Sequence, residues 1–162
     1  MSLFPQALVE KATALLADFR TRGITLTTAE SCTGGLISAL ITEIAGSSDV
    51  FTHGFVTYAN AAKTSMVGVP ASLIAQHGAV SESVARAMAE GALDTSVASI
   101  AVAVTGVAGP SGGSPEKPVG LVHIAVARAD GETIHQRHVF SGDRSSVRLQ
   151  TVEAALALIG NA

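Results

Sequence analysis

Tryptophan is absent from this 162-residue chain, tyrosine occurs once and phenylalanine five times. A core built with so few rings must come from Ala, Val, Leu and Ile, which suits close packing of helices on a sheet. There is one cysteine, Cys32, so an internal disulfide is excluded and a reducing cytoplasm is the expected compartment. Ten basic side chains stand against thirteen acidic ones, for a net charge of -3. With no basic stripe to displace counterions, nucleic acid is not an expected partner. No apolar run nears the roughly 18 residues of a membrane span. Glu10, Lys11 and Asp18 interrupt the first apolar pattern, so neither a membrane anchor nor a secretory leader is expected. The five histidines lack ligand spacing. His135 and His138 stand three apart on an expected strand, hence on opposite faces, so no metal and no cofactor are expected.

What is present is an alternation of β-branched runs and helical apolar spacing. Leu8, Ala12, Leu15, Leu16 and Phe19 predict a helix that stops at Gly23, and Ile24–Thr28 predicts the first strand. Leu36, Ile37, Leu40, Ile41 and Ile44 follow at helical spacing. Phe51–Tyr58 reads as a second strand, with Asn60 as the N-cap of a short helix carrying Lys63. Pro70 opens a helix closed by Gly78, and Ser81 caps another through Val84, Met88 and Ala92. The apolar run Ser99–Val104 reads as a central strand covered on both faces. Val119–Ala127 and Thr133–Phe140, joined through Asp130-Gly131, predict an antiparallel hairpin, and Val147 to Ile159 a closing helix. The pattern predicts one domain over residues 1–162, a three-layer α/β/α sandwich with a mixed, mostly parallel sheet.

Two stretches carry chemistry. In Thr28-Ala29-Glu30-Ser31-Cys32-Thr33-Gly34-Gly35 a strand gives way to a helix through hydroxyls and glycines. Ligands bind at that end of a strand in open α/β sheets. The glycines admit a ligand to the backbone, and the helix amino terminus favours an anion. The second stretch, Thr105–Pro115, carries four glycines and two prolines and reads as a wall of the site. Ser31 has the exposed position a nucleophile needs, and Lys63 and Tyr58 are candidates for taking its proton, since both follow a strand that can lie beside the first. A lysine near pKa 10.4 is neutral only about one part in a thousand at pH 7.4, so a Lys63 base needs its pKa lowered by roughly three units. Spacing alone leaves other readings open: Ser31 as a helix N-cap, Lys63 as a solvated surface lysine, Cys32 as a rival nucleophile activated by the helix terminus.

The ordered set of Thr28–Gly35, Tyr58–Lys63, His77–Ser81, Val104–Pro110, Lys117–Gly120 and Gly142–Arg144 resembles the C-terminal domain of the competence/damage-inducible protein CinA. Stand-alone members of that family are nicotinamide-nucleotide amidohydrolases. The resemblance implies hydrolysis of the carboxamide of nicotinamide mononucleotide (NMN) to nicotinic acid mononucleotide and ammonia, in pyridine nucleotide salvage. It implies no metal, and a homo-oligomer. Carried onto matching positions, Ser31 is the nucleophile and Lys63 its base, with Tyr58 assisting. The substrate-binding residues expected beside them are Glu30, Cys32, Thr33, Gly34, Gly35, Thr105, Gly106, Gly109, Gly112, Gly113 and Arg144. The backbone at Cys32–Gly35 serves as oxyanion hole or phosphate cradle. Thr105–Gly113 and Arg144 hold the ribose and phosphate. Ala59 and Ala61-Ala62 depart from the more polar residues of the family pattern around Asn60. The alternative of a different class is a nucleotide-binding or protein-interaction module without catalysis, using the same glycine loops.

Overall fold

The structure, a computed structural model, describes residues 1–162. In chain order its elements are α1 (Gln6–Arg22), β1 (Leu26–Glu30), α2 (Leu36–Glu43), a 3-10 turn (Ser47–Asp49), β2 (Phe51–Val56), α3 (Asn60–Val67), α4 (Ala71–His77), α5 (Glu82–Thr95), β3 (Ile100–Gly106), β4 (Leu121–Arg128), β5 (Ile134–Val139) and α6 (Arg144–Gly160). The sheet order is β2-β1-β3-β4-β5. β1 pairs in parallel with both β2 and β3, while β3–β4 and β4–β5 are antiparallel. β4 alone therefore opposes the other four strands. No helix is long and apolar enough to cross a membrane.

The two faces of the sheet are built from different residue sizes. Alternation along β3 and β4 sends Ile100, Val102, Val104, Val122, Ile124 and Val126 to one side, where they pack with Leu8, Leu16 and Phe19 of α1, Ile37 and Leu40 of α2, and Val152 and Ile159 of α6. The other side shows Ala29, Ala101, Ala103, Ala125 and Ala127, against Val84, Met88, Ala89 and Ala92 of α5 and Val67 of α3. Small side chains there let α5 ride close to the strands. The shortage of rings noted in the sequence thus becomes a thin, tightly apposed layer.

Local expectations were met with two adjustments. β2 ends at Val56, because Thr57 and Tyr58 leave the sheet toward the site. Asn60 is the first residue of α3 and not its cap; Ala59 takes the cap position, with no side-chain hydrogen bond. Ser81 does cap α5, its Oγ accepting from the Val84 N–H at 3.3 Å. On β5, His135 and His138 separate as alternation requires. His135 Nε2 lies 2.9 Å from His123 Nδ1 on β4, and Glu82 of α5 reaches His135 Nδ1 at 3.4 Å. Burial and then the neighbouring His135 push His123 down to about 4. The hairpin brings these histidines together, which spacing along the chain could not show.

Gly91 marks the tightest apposition of helices. A Cβ built there runs into the Val67 carbonyl of α3. Gly91→Ala should destabilise the fold by at least about 2 kcal/mol, despite the better helix propensity of alanine. A fall in the urea midpoint with an unchanged slope would show it.

Candidate active site

β2, β1 and β3 are adjacent and parallel, so their carboxyl ends deliver Tyr58, Ser31 and Thr105 to one edge of the sheet. There Ser31, Cys32, Tyr58, Asn60, Lys63, Ala79, Val80, Thr105, Gly106, Ala108 and Arg144 line a cavity of about 210 Å³. A second cavity of about 430 Å³ adjoins it across Ala108 and Arg144, bounded by Pro110, Val119 and the first residues of α6.

Lys63 is the centre of the first cavity. Its side chain is 1 % exposed, so the surface-lysine reading is excluded. Nζ donates to the Thr57 carbonyl at 2.9 Å, to the Tyr58 carbonyl at 3.1 Å and to Ser31 Oγ at 3.2 Å. Burial lowers its pKa below the ordinary 10.5. The two carbonyls can only accept. A neutral Lys63 must therefore give both its N–H groups to them, which leaves its lone pair directed at the Ser31 hydroxyl. The short α3 arises for this placement: Ala59 leads the chain out of β2, and Lys63 falls one turn into the helix, back over the strand ends.

Glu30 corrects the sequence reading. Its carboxylate turns away from the cavity and accepts from Thr33 Oγ1 (2.6 Å), the Ile37 N–H (2.8 Å), the Ser38 N–H (3.0 Å) and Ser38 Oγ (2.8 Å). It caps α2 from a distance and leaves no role for Ser31 as N-cap. An anion already occupies that helix terminus, so the α2 dipole is not free to cradle a phosphate. The Thr33 side chain is turned to Glu30, and Gly34 and Gly35 shape the turn, with φ of 58° at Gly34 and 105° at Gly35, a conformation that only glycine adopts without strain.

Burial pushes the Cys32 thiol from 9.0 up to about 12, with the Glu30 charge adding to it. The low-pKa rival nucleophile is thereby removed. The Tyr58 phenol is exposed and accepts from Arg144 Nη2 at 3.4 Å; it bonds neither Ser31 nor Lys63, so the residue reaches Lys63 through its carbonyl alone. Thr105 Oγ1 donates to the Ala79 carbonyl at 2.9 Å, fixing the wall opposite. Arg144 Nη1 donates to the Gly109 carbonyl at 2.8 Å. Gly109 therefore backs the site, whereas Gly112 and Gly113 lie on the exposed part of the loop, outside both cavities. Sequence reasoning missed Asn60, Ala79 and Val80 as lining residues, and also Arg148. The last stands four residues after Arg144 on α6, a spacing that places both on one helix face.

A family model for the CinA C-terminal domain matches residues 8–162. The chain belongs to the CinA C-terminal domain family. The nicotinamide-nucleotide amidohydrolase PncC of Escherichia coli K12 is 57% identical over 137 residues, covering 85% of this chain and 83% of that protein. A putative competence-damage inducible protein of Symbiobacterium thermophilum is 55% identical, with 90% of this chain matched to 35% of the relative. Among solved structures, the competence/damage inducible protein CihA of Agrobacterium tumefaciens superposes over the full length of both chains at TM-score 0.97 and 50% identity. The Escherichia coli CinA superfamily protein ECK1530/EC0983 superposes at 0.92 with 32% identity, over 100% of this chain and 95% of that one. Within the family fold, the groups bonded to Lys63 come from the segments that follow β1 and β2.

A thiol held at about 12 should be nearly inert. At pH 8, iodoacetamide should alkylate Cys32 roughly a thousandfold more slowly in the folded protein than after unfolding in urea, because the thiolate fraction falls tenfold per pKa unit. Mass spectrometry over a time course measures both rates.

Proposed function

We propose that this protein is a nicotinamide-nucleotide amidohydrolase that converts NMN and water to nicotinic acid mononucleotide and ammonia. The observation that carries the reading is the buried Lys63 Nζ at 3.2 Å from Ser31 Oγ, with its other two directions held by carbonyls. The activity named for the Escherichia coli relative supplies the substrate.

Ser31 Oγ attacks the amide carbon while the lone pair of neutral Lys63 takes the hydroxyl proton. The C–N bond then breaks as the Lys63 ammonium returns that proton to the departing nitrogen, which leaves as ammonia. Water attacks the resulting ester of Ser31. Lys63 takes a proton from that water and returns it to Ser31 Oγ as the ester C–O bond breaks, so the acid product departs, ionising in solvent, with Ser31 and neutral Lys63 restored. Lowering of the Lys63 pKa by burial makes this base available nearer neutral pH. Tyr58 contributes the carbonyl that orients Lys63 and the ring that walls the cavity. The ring of the substrate fits the smaller cavity, and its ribose phosphate runs into the larger one past Arg144, whose guanidinium suits a phosphate. The reaction recovers a nucleotide already carrying its ribose phosphate, which is the sense of a salvage step.

The test is ammonia release from NMN, with the acid product identified by chromatography. The parent should turn over, while Ser31→Ala and Lys63→Met should each lose roughly 10³-fold or more. For the parent, kcat/KM should rise with pH as Lys63 loses its proton, with a midpoint below the ordinary 10.5. A folded parent that binds NMN without hydrolysing it would instead make the protein a nucleotide-binding module.

A further inference from the structure

The turn that carries Ser31 is gripped from α6 as well as by Glu30. Arg148 donates from Nε to the Cys32 carbonyl and from Nη2 to the Thr33 carbonyl, each at 3.1 Å. Two hydrogen-bond chains begin at this one guanidinium. In the shorter, the Cys32 carbonyl belongs to the same peptide unit as the Thr33 N–H. In the longer, the Thr33 carbonyl shares its unit with the Gly34 N–H, which donates to the Ser31 carbonyl at 3.1 Å, and that carbonyl shares its unit with the Cys32 N–H.

Both chains thus end on an N–H that donates to no other group of the protein backbone. Buried N–H groups are almost always paired. Thr33 has no exposed surface and Cys32 is 6 % exposed. Two N–H groups that donate to no other residue, on the residues that follow Ser31 and with Cys32 lining the cavity, are what a developing oxyanion requires.

We propose that Arg148 is a positioning residue that polarises the Cys32 and Thr33 N–H groups, and that these two donors form the oxyanion hole for the reaction at Ser31. The inference rests on the amidohydrolase reading above. A cationic donor on a carbonyl withdraws electron density from its peptide unit, and successive peptide hydrogen bonds pass the polarisation along. A tetrahedral oxyanion gains more from strengthened donors than the neutral amide oxygen of the substrate, so the effect belongs to kcat and not to KM. Glu30 completes the arrangement by taking the Ile37 and Ser38 N–H groups for itself, leaving Cys32 and Thr33 to the substrate.

The experiment compares the parent with Arg148→Lys and Arg148→Ala in NMN hydrolysis and in amide ¹H–¹⁵N spectra. Arg148→Ala should lose roughly ten- to a hundredfold in kcat at nearly unchanged KM. Millimolar guanidinium should restore part of that loss. Arg148→Lys should recover only some of it, because an ammonium cannot reach both carbonyls as a fork. In both variants the Cys32 and Thr33 amide protons should move upfield, a readout that needs no turnover. Parent-like kcat in Arg148→Ala would overturn the inference, and so would unmoved Cys32 and Thr33 amide resonances. A loss shared between kcat and KM, with a lower melting temperature and no guanidinium rescue, would reduce Arg148 to a structural brace and also overturn it. Failure of the folded parent to release ammonia would strike the amidohydrolase reading, while the spectra still decide the polarisation by Arg148.

Discussion

The burial of one amine, that of Lys63, is the constraint on which the site depends. Removing a lysine side chain from water disfavours its charged form by several kcal/mol unless hydrogen bonds replace the lost hydration. Here two backbone carbonyls and a serine hydroxyl supply three partners, so the ammonium is tolerated and the neutral amine is also well accommodated. Burial shifts the balance toward the neutral amine, in contact with Ser31. The carbonyls of Thr57 and Tyr58 are available only because the chain leaves the sheet at Val56, and the amine reaches them only because α3 begins at Asn60.

The sheet explains why these parts meet. Three parallel strands end side by side, each giving its following residues to the same edge. The remaining hairpin, β4 and β5, adds no group to the cavity; it widens the sheet and supports α5, whose amino-terminal approach supplies Ala79 and Val80. The alanine face beneath α5 and the branched aliphatic face beneath α1, α2 and α6 are the two halves of one arrangement. A large side chain on the alanine face would push α5 outward and carry the site wall with it.

Charge in the turn is divided by function. The Glu30 carboxylate, at the end of β1, satisfies N–H groups in the first turn of α2 that would otherwise attract a ligand anion. A guanidinium on the carbonyls of the same turn acts in the opposite sense, strengthening donors. Helix α6 connects the two regions, since Arg144 braces Gly109 of the β3 loop and Arg148 braces the turn after β1.

Periodicity and turn chemistry were enough to locate the six α-helices and five strands, because the helices bury one face, the central strands are continuous apolar runs, and most boundaries carry glycine, proline or a capping side chain. Turn chemistry together with the family resemblance pointed to Ser31, Cys32, Tyr58, Lys63, Thr105, Gly106 and Arg144, which gather around one cavity. Local rules failed where a side chain could turn either way. Glu30 follows the same strand as Ser31, yet its carboxylate faces α2, and nothing in the order of residues distinguishes a ligand from a cap. Gly112 and Gly113 resembled a site wall because glycine marks any irregular backbone, whether or not a ligand lies beside it. Arg148 was hidden because its partners are carbonyls more than a hundred positions away in the chain. Sequence by itself determined the layers and the loops that hold the chemistry, since hydrophobic burial and backbone conformation act over a few residues. Only the tertiary structure decided the burial of Lys63 and Cys32 and the partners of Glu30 and Arg148, since desolvation and hydrogen bonding depend on what distant segments bring within a few ångströms.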